Sequence, residues 1–199
     1  ECSYEGFRRM NVDGTANVMS VAKSFGVRMV HVSTVNVDGF KRGVLADPYA
    51  QTKAEAEALV LAAASDGLDA VVVRPATVFG SVAGRAGLIV DRILAGTLKV
   101  MPAPSRKISP VWTEDLAAAL IRAAQVGATG RIYTVAGPTI SSGGFAKAVS
   151  AGAGVGSYKV SIPTWFVALP LQLAWLLKGI TRVTPPVTVE AVRSGSVHD

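Results

Sequence analysis

Tyr49 and Lys53 stand four residues apart in the run YAQTK, a spacing that puts both side chains on one face of a helix. A free phenol, with a pKa of ~10, is a poor proton relay at neutral pH. A nearby ammonium favours the phenolate, and the positive end of a helix acts in the same sense. A tyrosine tuned in this way takes a proton from a substrate hydroxyl, or returns one to a carbonyl oxygen, as hydride moves. Upstream, the run MVHVST ends in Ser33 and Thr34. Hydroxyls at the carboxyl end of a parallel strand stand where ligands bind in open α/β sheets. Thr34 is placed to hydrogen-bond the reacting oxygen and align it with Tyr49. Asn11, in NVDGT, can bridge backbone and water near Lys53 and so extend a proton path.

These groups need a scaffold, and the hydrophobic pattern supplies one. Residues 5–24 read as a helix with Phe7, Met10, Val18, Val21 and Ala22 near one face, ended by Gly26. Gly14 inside it costs about 1 kcal/mol against Ala, and close packing of helix on sheet would explain it. Residues 27–32 and 69–74 are short β-branched runs, expected as buried strands. Between them lie a polar loop over 36–48 and an Ala-rich helix over 49–64, broken at Asp66-Gly67. Pro75 is expected to end regular pairing and expose backbone groups at the same sheet edge. Further along, 88–95 reads as a helix and 108–111 as extended. Thr113 caps a helix over 114–125, 132–135 is a strand, and 142–151 is a short helix. Strands buried on both faces and separated by helices argue for an α/β fold, a partial Rossmann-like parallel sheet flanked by helices. The units shorten after Pro102. Residues 1–101 are therefore assigned to the Rossmann-type part, and 102–199 mostly to a small C-terminal substrate-binding region with interleaved sheet elements.

Composition excludes several classes. Half of the 199 residues are hydrophobic, enough for a sizeable core, and nothing reads as disordered. The net charge of +6 is spread singly, without interleaved aromatics, so nucleic acid is not an expected partner. The single cysteine, Cys2, allows no intrachain disulfide and suits a cytoplasmic, reducing compartment. Two histidines and one cysteine do not make a metal cluster, so no metal site is expected. His31 reads as a core histidine with its hydrogen bonds satisfied. The apolar stretch 162–177 is short of the ~20 residues a bilayer span needs and contains Pro163 and Pro170. It reads as a buried or groove-lining helix. Trp165, Phe166 and Trp175 leave peripheral membrane contact open.

Five motifs run in register: NVDGT, VSTVNVDG, YAQTK followed by AEA, RPATVFG, and VWTEDLAAA with GRIYTVAG behind it. In that order they resemble the extended short-chain dehydrogenase/reductases, the NAD-dependent epimerase/dehydratase-like family, from about Asn11 to Gly137. The resemblance implies NAD or NADP as a non-covalent cofactor. It implies Tyr49 as general acid/base, Lys53 as its tuner and the binder of the nicotinamide ribose, and Thr34 as polariser of the substrate oxygen with Ser33 beside it at the cofactor. Asn11 would shape the proton relay. With Pro75, the backbone around Thr77 and Val78 would meet the nicotinamide carboxamide. A homodimer through the helices of Asn11 and Tyr49 is the family's habit.

Departures from the family narrow the reading. Its opening strand and TGxxGxxG loop, which hold the pyrophosphate, have no counterpart before Asn11, so a chain truncated at the N-terminus is expected, with little activity of its own. The glycine run 80–87 sits where the family has a substrate loop. The Asp-Glu pair that sugar-nucleotide dehydratases carry after the threonine is replaced by Val35-Asn36, which argues against dehydration. The expected function is an NAD(P)-dependent oxidoreductase acting on a secondary alcohol or ketone of a hydrophobic, steroid- or flavonol-like small molecule. The alternatives are a nucleoside-diphosphate-sugar epimerase and a non-catalytic cofactor-binding or scaffold relative. Lys178 and Arg182 would be a solvated edge or meet an anionic substrate group, and Asp115 would brace its helix.

Overall fold

The run AVVVRP builds the middle of a parallel sheet because three successive β-branched residues leave neither face fit for water. In the computed structural model, which describes residues 3–43, 45, 47–80, 84–163 and 166, this strand is buried throughout. The elements follow in order: α1 (Tyr4–Arg8), a π-helical turn (Arg9–Asp13), α2 (Gly14–Phe25), β1 (Met29–Val32), α3 (Asn36–Lys41), α4 (Pro48–Ser65), β2 (Ala70–Pro75), β3 (Thr77–Phe79), α5 (Gly84–Leu94), β4 (Val100–Pro102), β5 (Lys107–Ile108), β6 (Pro110–Trp112), α6 (Thr113–Val126), β7 (Ile132–Val135), β8 (Ile140–Ser141), α7 (Ser142–Gly152) and β9 (Val160–Ile162).

Two compact units result. The first comprises Glu1–Val78 and Val111–Gly137, the second Phe79–Pro110 and Pro138–Asp199. The division thus falls near residue 78 rather than 101, and 111–137 returns to the first unit to supply α6 and β7. In the first unit, β1, β2 and β7 form a parallel sheet in that order, with Val72 opposite His31 and Ile132. Alternation along the strands divides the core. Met29, Ala70 and Val72 pack with Ala22, Val60 and Leu68 under α2 and α4, whereas Val71 and Val73 pack with Ala123, Leu116 and Leu120 under α6. Val71, Val72 and Val73 are fully buried, each worth roughly 1.5–3 kcal/mol of transfer free energy. Met10, Val18, Val21 and Phe25 stay exposed along the N-terminal helical segment, and β1 pairs only with β2 among the described residues. In the second unit, α5 and α7 enclose Ile93, Met101 and Ala146, β4 and β9 pair parallel, and β5 and β8 pair antiparallel.

Several expectations need correction. The helix over 5–24 is interrupted by the π-helical turn holding Asn11, and Gly14 follows that turn. A Cβ on Gly14 would meet only the Arg9 carbonyl at 3.7 Å, an ordinary contact, so close packing does not explain the glycine. The loop over 36–48 contains α3, whose Val37 and Gly39 are buried. Pro75 is the last residue of β2, opposite Val135, but its carbonyl is not left exposed: it accepts the Val35 N–H at 3.2 Å. Thr113 is the first helical residue of α6 rather than its cap; Trp112 holds the cap position. Glu114 and Asp115 occupy the first turn of α6, where carboxylates suit the helix dipole. The apolar stretch 162–177 lies, but for Ile162, Pro163 and Phe166, outside the described residues. Among the described residues no helix is long and apolar enough to cross a membrane.

Candidate active site

Helix α4 starts where its sequence says it should. Asp47 has extended backbone, its carboxylate accepts the N–H groups of Tyr49 and Ala50 at 3.2 and 3.3 Å, and Pro48 fills the first helical position, where no N–H is needed. Tyr49 therefore leaves the first turn, half-buried, with its ring edge-to-face against Phe7 at 5.8 Å. One turn on, Lys53 is also half-buried and its Nζ donates to the Val32 carbonyl at 3.0 Å. That bond holds α4 to the carboxyl end of β1, two residues before Thr34. Val32, Tyr49 and Lys53 thus belong to one cluster at the end of the parallel sheet.

The electrostatics differ from the expectation. Burial, and then the Asp47 carboxylate, push the Tyr49 phenol above its ordinary value. Lys53 does not lower it, because its ammonium is turned to the Val32 carbonyl. Burial also lowers the Lys53 ammonium. A phenol is protonated at neutral pH at its ordinary value, and the upward shift makes this one a weaker acid still, which releases its proton only to a strongly basic oxygen.

Asn11 reaches α4 but not Lys53. Its Nδ2 donates to Thr52 Oγ1 at 3.0 Å, and that hydroxyl donates in turn to the carbonyls of Pro48 and Tyr49 at 2.9 and 3.1 Å. The π-helical turn is thereby fastened to the first turn of α4, as such turns often are at functional sites. Thr34 is buried, and its Oγ1 accepts the Asn36 N–H at 3.3 Å. That contact uses a lone pair and leaves the hydroxyl proton to donate elsewhere. Ser33 is placed differently from the expectation. Its hydroxyl donates to Glu57 Oε2 at 2.8 Å inside the protein, so it is not available to a cofactor. Thr77 and Val78 are half-buried in β3.

Glu57 was missed by sequence reasoning and organises the base of the site. Its side chain is 0% exposed. Arg74 meets it bidentately, Nε to Oε2 at 2.8 Å and Nη2 to Oε1 at 2.6 Å. Lys41 Nζ reaches Oε1 at 3.0 Å, and Arg74 Nη1 reaches Asp38 Oδ1 at 2.6 Å. Although burial opposes ionisation, the hydrogen bonds from Arg74, Lys41 and Ser33 together bring the Glu57 carboxyl down to about 2. The available signal was an arginine closing an all-buried strand, since a buried guanidinium demands a carboxylate. His31 also departs from the expectation. It is buried, but among the described residues its Nε2 has no hydrogen-bond partner, and burial with the nearby Lys53 charge lowers its pKa to about 4.

The donor set fits the nicotinamide half of a dinucleotide. Among the described residues the Tyr49 hydroxyl has no hydrogen-bond partner, and Lys53 spends one of its three N–H donors, on Val32. These groups, a turn apart, match a ribose diol and an adjacent reacting oxygen.

The model of the NAD dependent epimerase/dehydratase family matches residues 3–136. A putative dihydroflavonol 4-reductase of Synechocystis sp. is 31% identical over 191 residues, covering 86% of this chain and 55% of that protein. A 2-alkyl-3-oxoalkanoate reductase of Stenotrophomonas maltophilia is 32% identical over 135 residues, covering 59% of this chain and 40% of that one. The chain spans about half the length of the curated relatives it matches. Among solved structures, gox2253 superposes with a TM-score of 0.80 at 24% identity, covering 98% of this chain and 64% of its own. The dTDP-glucose 4,6-dehydratase of Bacillus anthracis in complex with NAD gives 0.67 at 19% identity, covering 99% and 69%.

Proposed function

The chain belongs to the NAD-dependent epimerase/dehydratase family, and from that premise we propose that the intact protein is an NAD(P)-dependent reductase of a ketone on a hydrophobic small molecule. The observation that carries this reading is the pairing of Tyr49 and Lys53 on one face of α4, with Lys53 anchored to the carboxyl end of β1. When bound, the nicotinamide supplies the hydride. Lys53 uses its remaining N–H donors on the ribose and holds it beside the strand end. Thr34, its lone pair engaged by the Asn36 N–H, donates its own proton to the substrate carbonyl and polarises it. The Tyr49 hydroxyl then delivers its proton to the oxygen as negative charge develops there.

Reduction consumes the protonated tyrosine, the form a phenol holds at neutral pH, and the upward shift at Tyr49 means that it yields its proton only once strong negative charge has developed on the substrate oxygen. Similarity to a dihydroflavonol reductase and an oxoalkanoate reductase supports net reduction of a carbonyl rather than epimerisation. The test is ketone-dependent oxidation of NADH or NADPH by the full-length protein and by Tyr49→Phe. Loss of at least a hundredfold in kcat, with cofactor affinity kept within a few-fold, is the outcome for a positioned general acid. Equal turnover by both proteins would remove Tyr49 from the mechanism. Epimerisation would instead leave no net nicotinamide oxidation.

A further inference from the structure

The residues that hold Thr34 in place lie outside the catalytic cluster. Helix α3 begins two residues after Thr34 and stacks on it through two bonds: the Asn36 N–H to Thr34 Oγ1 at 3.3 Å and the Val37 N–H to the Thr34 carbonyl at 3.2 Å. The orientation of the Thr34 hydroxyl therefore depends on where α3 sits. Nothing in the hexapeptide NVDGFK makes a stable helix alone, since six residues are too few and glycine lies at its centre. Two ion pairs fasten it from one side: Asp38 to Arg74 Nη1 at 2.6 Å, and Lys41 to Glu57 Oε1 at 3.0 Å. Each pair joins a half-exposed side chain on α3 to a buried partner: Asp38 and Lys41 are 51% and 48% exposed, Arg74 and Glu57 9% and 0%. The buried Arg74–Glu57 pair survives without them, because its two bidentate bonds do not involve α3. The arrangement is a fixed base with two releasable ties.

From this we infer that Asp38 and Lys41 are positioning residues for Thr34, transmitting the geometry of the buried Arg74–Glu57 pair through α3 to the Thr34 hydroxyl. The inference rests on the reaction proposed above for the role of Thr34, and deepens it by assigning its support. Neither residue touches substrate or cofactor in this scheme. Their removal acts through one hydrogen bond, that of the Asn36 amide.

The experiment is a double-mutant cycle on the full-length protein, with amide exchange as a second readout. Asp38→Ala with Lys41→Ala cuts both ties while keeping helix-favouring residues in α3. Asn36 amide exchange should speed up about tenfold, and kcat/KM for ketone reduction should fall about tenfold, within the coupling range of residues sharing one hydrogen-bond chain. The melting temperature should move little, since the buried Arg74 and Glu57 keep their two bonds to each other when the half-exposed partners are removed. In a Thr34→Val background the same pair of substitutions should cost less than about twofold, because the hydroxyl they position is gone. Lys41→Arg, which can restore a bond to Glu57, should recover most of the rate in the presence of Asp38. An equal rate loss in both backgrounds, or Asn36 protection unchanged by cutting the ties, overturns the inference. A Thr34→Val protein that turns over at the parent rate refutes the proposed reaction instead, and the exchange result still decides whether the ties hold α3.

Discussion

Glu57→Gln isolates the buried charge cluster from everything around it. The carboxyl titrates at about 2 in the folded protein, against ~4.3 in an unfolded chain. Because the folded value is the depressed one, ionised Glu57 stabilises the fold fully above the unfolded value, and that stabilisation disappears as pH falls through the folded value. The difference corresponds to about 3 kcal/mol at pH 7, roughly half of that at pH 3 and little at pH 2. Glutamine keeps the shape but not the charge, and it leaves the Arg74 guanidinium facing a neutral amide, so about 3 kcal/mol is the lower side of the expected loss at pH 7. Urea unfolding of both proteins at pH 7, 5, 3 and 2 measures it. With m near ~2 kcal/mol/M, the midpoints should differ by about 1.5 M at pH 7 and converge toward pH 2. A gap that stays constant over the whole range would mean that Glu57 does not carry its charge into the fold, and the electrostatic account of α3 and Arg74 would fall with it.

Two further outcomes follow from the same geometry. His31 is held neutral at about 4 by burial and by Lys53, so folding stability it permits above pH 6.5 is lost as pH falls from there toward 4. His31→Leu abolishes that loss, so between pH 7 and pH 5 the variant should gain about 2 kcal/mol relative to the parent, read by thermal or urea unfolding; a difference between the two proteins that does not change over that range would contradict the assignment. Asp47→Ala removes the cap of α4 at a cost of about 1 kcal/mol. It should also lower the Tyr49 phenol, since that carboxylate is one of the two causes raising it, which ultraviolet difference titration would detect as phenolate forming at lower pH.

Local patterns made most of the first unit legible. Three valines in a row, an Ala-rich stretch behind Asp-Pro and a glycine at the left-handed end of α2, with φ +60°, each act through their own neighbours. What could not be read was held by partners distant in sequence. Helix α3 depends on Arg74 and Glu57, thirty-six and sixteen residues away from Asp38 and Lys41. Ser33 looked like a cofactor contact because it adjoins Thr34, but its hydroxyl is taken by Glu57, and only the position of α4 decides which of two adjacent buried hydroxyls that carboxylate engages. The π-helical turn at Asn11 has no local signature beyond a glycine after it, and its purpose appears only with Thr52 in place.

The Tyr49 phenol shows the same limit in sharper form. Reading Lys53 and the helix end as joint stabilisers of phenolate treats the start of α4 as an uncompensated positive pole. A helix that begins with Asp47-Pro48 has already used a carboxylate to satisfy that pole, through the amides of Tyr49 and Ala50. The residue that makes the helix start there is therefore the one that cancels much of the field its start would exert. Lys53, drawn to the Val32 carbonyl, leaves burial and Asp47 to decide, and both favour the protonated form. Capping and phenolate stabilisation compete for one helix terminus. In this chain the cap has won, so phenolate, the form that would strip a proton from an alcohol, is the disfavoured one.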